Sequence, residues 1–150
     1  MKIRIIVIGK KHEPWVKSGV ERFLERLRPP FTAEFEIINS SSREGKAARA
    51  EESSKVLGIL GDDSMVILLD ERGKNISSPE LSGLITDNVH RQLVFIIGGA
   101  FGVNEQLQQR ADFVWSLSNL VFPHQLVRLI LAEQLYRAQE ISKGSGYHHL

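Results

Sequence analysis

The residue types able to do chemistry in this chain are sparse, and their spacing excludes more reactions than it supports. Its histidines are His12, His90, His124, His148 and His149, none in the H-x-x-x-H or H-E-x-x-H spacing that sets two imidazoles on one helix face for a metal ion. Cysteine is absent, which removes thiol nucleophiles, disulfides, thiolate zinc sites and iron–sulfur ligation, a composition natural to an intracellular protein. Ser116 and Ser118 stand near histidines in sequence, but without the G-x-S-x-G turn that exposes a hydrolase serine. "LLDERGK", Leu68 to Lys74, contains D-x-x-G, yet no G-x-x-x-x-G-K-[ST] loop accompanies it to hold phosphates. Asp70 and Glu71 are adjacent, so on a strand they point to opposite faces, and no second carboxylate cluster offers a glycosidase pair or a two-metal site.

Two uncharged stretches remain. "IIGGAFG", Ile96 to Gly102, ends an apolar run with Gly98, Gly99 and Gly102, where backbone can approach a ligand closely or turn tightly. It is not the G-x-G-x-x-G dinucleotide pattern, and no strand-ending acid follows at the required distance. "SLSNLVFPHQLVRL", Ser116 to Leu129, places a polar kink, a Pro and a His between two strongly apolar elements. A site of glycines, backbone amides and carbonyls, and uncharged side chains suits a neutral adenine and ribose better than a triphosphate.

The elements that must position these stretches follow from periodicity. Ile3 to Ile8, Ala33 to Ile38, Met65 to Asp70, Leu93 to Gly99 and the "DFVWSLS" run read as strands. Between them lie helical stripes: from Pro14 through Trp15, Val16, Val20, Phe23, Leu24 and Leu27 up to Pro29; after "NSSSREG" to about Gly61; and from a Ser78 cap through Leu81, Leu84, Ile85 and Val89. Asn104 caps a short helix through Ala111, and Pro123 opens a long last one. "ERGKNISSP" reads as a turn. The order βαβαβαβαβα predicts a parallel α/β sheet covered on both faces, with ligands at the carboxyl ends of the strands. The 150 residues read as one domain, 1–150, with a net charge of +1 that neither announces nor forbids a nucleic-acid partner. The first apolar run, Ile5 to Ile8, is too short for a signal peptide or a membrane span, so a cytoplasmic protein without membrane attachment is expected.

"LLDERGK", "IIGGAFG", "SLSNLVFPHQLVRLILAEQLYRA" and the terminal "YHH" occur in this order and spacing in the RlmH-type SPOUT methyltransferases, which the chain closely resembles. "IRIIVIGK" extends the resemblance over nearly the whole length, and "FPHQ…R…EQLYRA" is its most specific part. The resemblance implies a parallel-sheet α/β/α sandwich with a C-terminal trefoil knot, although connection rules alone argue against a knot. It also implies an S-adenosylmethionine-dependent homodimer that methylates N3 of a pseudouridine in a stem-loop of large-subunit (23S) ribosomal RNA, within the assembled ribosome and without a metal. An inactive cofactor- or RNA-binding module, or a methyltransferase for another RNA, are the alternatives.

Carried onto this sequence, the cofactor contacts are Leu69, Gly98, Gly99, Gly102, Ser118, Asn119, Leu120, Val121, Phe122 and Pro123. Gly99→Val is expected to fill the space beside the donor. No carboxylate is expected there, because one would stabilise the ground-state sulfonium whose charge disappears during transfer. Without Cys, direct transfer to a ring nitrogen remains, and loss of the N3 proton asks for a base or a cation. The candidates are His124, Arg137, Tyr147 and His148. For RNA phosphates and bases they are Lys10, Lys11, Arg22 and Arg26, near Lys17 and Arg28, with His148 and His149 from the tail. Two departures from the family pattern stand out. The segment after the second strand is shorter and less basic, and His149 occupies a position where the family carries a permanent cation.

Overall fold

A computed structural model describes residues 1–149 of the chain. The elements alternate strictly: β1 (Ile3–Ile8), α1 (Pro14–Leu24), β2 (Ala33–Ile38), α2 (Gly45–Gly58), β3 (Met65–Lys74), α3 (Ser78–Asp87), β4 (Leu93–Ile97), α4 (Glu105–Arg110), β5 (Phe113–Trp115) and α5 (His124–Lys143). The strands form one sheet in the order β2-β1-β4-β3-β5, and every pairing is parallel. The central strands β1 and β4 are continuous apolar runs because both of their faces are covered. On one face Ile5, Val7, Phe95 and Ile97 pack with Leu81 and Ile85 of α3 and with Leu131, Leu135 and Ala138 of α5, where α1 also lies through Val16 and Val20. On the other, Ile6, Ile8, Val94 and Ile96 pack with Val56 of α2 and Leu107 of α4. The expected α/β/α layering is thus the observed one.

Local departures from the periodicity have local causes. Helix α1 ends at Leu24, and Leu27 is buried from the segment beyond it. Trp15 leaves the apolar stripe: it is 54% exposed and its indole donates to Glu13 at 2.8 Å. Val89 lies past the end of α3 and is 50% exposed. The cap of α3 is Ser77 rather than Ser78, because Glu80 stands three residues on. The Glu80 amide donates to Ser77 Oγ at 3.2 Å, and the Ser77 amide to the Glu80 carboxylate at 3.1 Å.

The largest difference concerns "ERGKN", expected as a turn. Strand β3 instead resumes its ladder with β5 after residues 70–73 bulge outward, so that Leu69 and Lys74 both register with Trp115. The Ser116 amide donates to the Lys74 carbonyl at 3.0 Å and Asn75 Nδ2 to the Ser116 carbonyl at 2.9 Å. Gly73 makes this possible, since a Cβ there would sit 2.5 Å from the Val114 carbonyl oxygen. The bulge lifts Asp70 to Arg72 to the carboxyl edge of the sheet, where the ligand loops gather.

Candidate functional site

The carboxyl ends of β3, β4 and β5 open onto one cavity of about 1160 Å³. Of the residues assigned to the cofactor, Leu69, Gly98, Gly99, Gly102, Ser118, Leu120, Val121 and Phe122 line it, and so does His124. Asn119 and Pro123 belong to the same elbow without lining the cavity, and Pro123 is the N-cap of α5. The elbow is shaped by its own serines: Ser116 Oγ donates to the Ser118 carbonyl at 2.8 Å, and Ser118 Oγ accepts the Leu120 amide at 3.0 Å. Leu120 and Val121 then stand 69% and 80% exposed at the cavity lip, with Phe101 also exposed across from them on the glycine turn.

The glycine turn is clamped by α2. Arg49 Nε donates to the Phe101 carbonyl at 2.9 Å, and Ser53 Oγ accepts the Asn104 amide at 2.9 Å. Glu52 is buried behind the turn, where its Oε2 accepts the Ser41 amide at 2.8 Å. A Cβ on Gly99 would meet Glu52 Oε1 at 2.9 Å and Ile8 Cγ2 at 3.1 Å. Any side chain added at Gly99 therefore presses on α2 and β1 behind the turn.

The cavity also departs from the expected lack of carboxylates, since Asp70, Glu71 and Glu105 line it. Asp70 is bound by Arg72 through two contacts, Nη2 at 2.8 Å and Nε at 3.0 Å. That side-chain hydrogen bond holds the Asp70 carboxyl below its ordinary range, against the opposing effect of burial, so the group is an ion pair and not a free anion.

The first turns of α5 are stitched to two other loops. Gln125 Oε1 accepts the Glu13 amide at 3.1 Å. Arg128 is fully buried, with Nη1 3.2 Å from His12 Nδ1 and Nη2 3.3 Å from His124 Nδ1. His124 Nε2 lies 2.7 Å from the Gly98 carbonyl. Burial, and next the Arg128 charge, push His12 below the usual imidazole range; burial does the same for His124.

The remaining catalytic candidates gather at the far end of α5. Arg137 Nη2 pairs with Glu133 Oε2 at 2.9 Å, its Nη1 lies 3.1 Å from His148 Nδ1, and its guanidinium sits 4.8 Å from the Tyr147 ring centre. The Tyr147 hydroxyl donates to Glu133 Oε2 at 2.8 Å. Burial first, then Glu133, raises the Tyr147 phenol above its usual range. Tyr136 stacks edgewise on Tyr147 and leans on Phe23 of α1. This group does not line the cavity of its own chain: Arg137 is thirteen positions after His124, roughly 20 Å along a helix.

The basic residues divide the same way. Lys10 and Lys11 are exposed beside the start of α5, whereas Arg22 and Arg26 are exposed near its end, where Gln139 Nε2 donates to the Arg26 carbonyl at 3.0 Å. His149 is exposed in the tail. Residues missed in the sequence are Glu52, Gln125, Arg128 and the cavity-lining Lys46, Arg49 and Arg72. Two of them carried a signal. Glu52 falls in phase with Ala48 and Val56, and Arg128 with Leu131 and Leu135, so each is a charge on the buried stripe of its helix.

No helix among the described residues is long and apolar enough to cross a membrane, and no group of three or more His, Asp or Glu stands where it could hold a metal ion. The family model described as "Predicted SPOUT methyltransferase" matches residues 1–148. A protein of Geobacter metallireducens named "Ribosomal RNA large subunit methyltransferase H" is 39% identical over 155 residues, spanning 99% of both chains. Proteins of the same name from Carboxydothermus hydrogenoformans (over 160 residues, 99% of both chains) and Dictyoglomus thermophilum (over 153 residues, 99% of this chain and 100% of the relative) are also 39% identical.

Proposed function

The chain belongs to the family of SPOUT methyltransferases, and from that premise we propose that it methylates N3 of a pseudouridine in a stem-loop of large-subunit ribosomal RNA, using S-adenosylmethionine. It does so as a single domain, residues 1–150, assembled as a cytoplasmic homodimer with the family's C-terminal knot, and acts on the RNA within the ribosome. The single observation that carries the reading is the cavity where the glycine turn and the elbow meet. Its lip carries Phe101, Leu120 and Val121, apolar side chains exposed where a flat ring would cover them. Trp115 also lines it. The amides of Asn119, Val121 and Phe122 donate to no acceptor among the described residues, leaving them for an adenine edge or ribose.

When bound, the donor supplies an electrophilic methyl group on a sulfonium. Leu69, Gly98, Gly99, Gly102 and the elbow from Ser118 to Pro123 would hold and orient it, and the Asp70–Arg72 pair neutralises one of the three carboxylates that line the cavity. Arg137, Tyr147 and His148 serve the RNA side: the guanidinium stabilises the uracil anion left by loss of the N3 proton, while the aromatic and imidazole groups stack on or hydrogen-bond to a loop base. Because they lie roughly 20 Å along α5 from the cavity wall of their own chain, they act on the donor site of the second copy in the homodimer. Arg22, Arg26 and His149 extend that face toward phosphates, and Lys10 and Lys11 supply cations beside the cavity.

The test is methyl transfer from labelled S-adenosylmethionine to ribosomes and to free ribosomal RNA lacking the modification, with the product base mapped. Label on one large-subunit pseudouridine is the expected outcome. Cofactor binding with no label on any RNA would instead make the chain a binding module, and absence of cofactor binding would remove the donor assignment.

A further inference from the structure

We propose that Arg128 is a positioning residue: it holds His124 as the neutral Nε2–H tautomer, and that N–H fixes the Gly98 carbonyl, so the first turns of α5 set the shape of the glycine turn. A guanidinium only donates hydrogen bonds. Arg128 Nη2 at 3.3 Å from His124 Nδ1 therefore requires a lone pair on Nδ1, which leaves the ring proton on Nε2. Nε2 lies 2.7 Å from the Gly98 carbonyl, an acceptor, so that contact requires a proton on Nε2, which this tautomer supplies and the Nδ1–H tautomer does not. The two contacts agree: the Gly98 carbonyl excludes the Nδ1–H tautomer, and the Arg128 guanidinium excludes the doubly protonated ring as well.

The same logic fixes His12, whose Nδ1 accepts from Arg128 Nη1 at 3.2 Å while the ring packs edgewise on Phe35 of β2. Arg128 thus ties the loop after β1, the start of α5 and, through His124, the turn after β4. No carboxylate pairs with it among the described residues, and its Nε has no partner. Glu13 supplies a compensating charge at longer range. Burying a cation against two imidazoles is a poor way to gain stability, since an apolar residue of similar size avoids the desolvation penalty. What an apolar residue cannot do is choose between the two tautomers of a ring that must donate to Gly98.

With its lone pair accepting from Arg128 and its N–H donating to Gly98, His124 has no free site to receive a proton. The ring is a strut between α5 and the glycine turn, which leaves proton removal and anion stabilisation to other groups.

The tautomer is read directly by long-range proton–nitrogen correlation spectra of the full chain carrying labelled histidine. The expected result is His124 neutral, with Nε2 protonated and Nδ1 bare. A protonated Nδ1 in the wild-type chain overturns the proposal. In Arg128→Met the ring is expected to lose its single tautomer, and Arg128→Lys, which keeps one donor, is expected to restore it in part. If Arg128→Met does not fold, the lysine variant and His124→Gln carry the test. Gln offers a donor and an acceptor at the corresponding places but cannot serve as a base, so in His124→Gln any change in methyl transfer is expected to follow the change in cofactor affinity. Retained binding with transfer lost would make His124 a proton carrier and overturn the strut.

The link to cofactor affinity rests on the proposed donor site. Arg128→Met is expected to weaken S-adenosylmethionine binding about tenfold, the size of one hydrogen bond to a charged group. Unchanged affinity in that variant, with its His124 tautomer lost, would show that the strut does not shape the site. Failure of the wild-type chain to bind S-adenosylmethionine would remove the donor reading, and the spectra would still decide the tautomer.

Discussion

Helix α5 carries an arginine beside a histidine at each end, and the two pairs live under opposite conditions. Arg128 is fully buried between His12 and His124, with no carboxylate partner among the described residues. Arg137 is partly exposed, shares Glu133 with Tyr147, and meets His148 from the tail. The difference is one of spare capacity. At the first end every contact of the His124 ring is used within the fold, so the group can only position. At the second, charge and hydrogen bonds are held in a half-exposed network that a substrate can rearrange. One helix thereby joins a rigid cavity wall to an adaptable group at its far end.

The comparison is broken most severely by removing one end. A chain ending at Gly146 is expected to lose methyl transfer by about 100-fold or more while keeping its S-adenosylmethionine affinity within about twofold. Full activity of that chain would reduce the Arg137 group to a structural ion pair. At the other end, Gly99→Ala is expected to weaken cofactor binding about tenfold by pressing on Glu52. Glu52→Ala in the same chain should return about 1 kcal/mol of that loss, measured as the coupling in a double-mutant cycle; strict additivity would place the collision elsewhere.

Smaller effects come from titration. Burial and Glu133 hold the Tyr147 phenol above its ordinary range. Because the raised group is protonated when neutral, its contribution to stability is present below about pH 10 and is lost as pH rises through the folded value. In a Tyr136→Phe background, Glu133→Gln should move the phenolate absorbance transition to lower pH. His12 and His124 are depressed, so the sign reverses: their contribution is present above about pH 6.5 and is lost as pH falls through their folded values. The thermal midpoint should therefore drop between about pH 7 and pH 5, and drop less in His124→Gln. The groups facing these rings are Arg128 and the Gly98 carbonyl, with Lys17 and Glu21 of α1 acting on His12.

Much of this was legible from local rules. The β1 and β4 runs announce strands covered on both faces, and the glycines of "IIGGAFG" with the uncharged elbow announce a cavity at the carboxyl edge. The separation of Arg137 from His124 follows from helix rise alone. Other features depend on partners far along the chain. The return of β3 to β5 at Lys74 needs Gly73 to pass the Val114 carbonyl, a contact that no window around "ERGKN" contains. The cause of the Gly99 requirement lies in Glu52, on a helix more than forty residues upstream. Arg128 and Glu52 were visible as charges on apolar stripes, but their partners are set by packing between layers.

The most direct measurement mixes the two failures. The chain ending at Gly146 keeps its donor site, and Gly99→Val keeps its tail; each alone should be inactive. Coexpressed in equal amounts, the two would pair under the proposed homodimer into mixed dimers in which one donor site faces one intact Arg137–Tyr147–His148 group. A composite site of this kind predicts recovery of about a quarter of wild-type methyl transfer, the share of intact sites under random pairing. A mixture no more active than either variant alone would contradict it, placing both ends of α5 at work within a single chain.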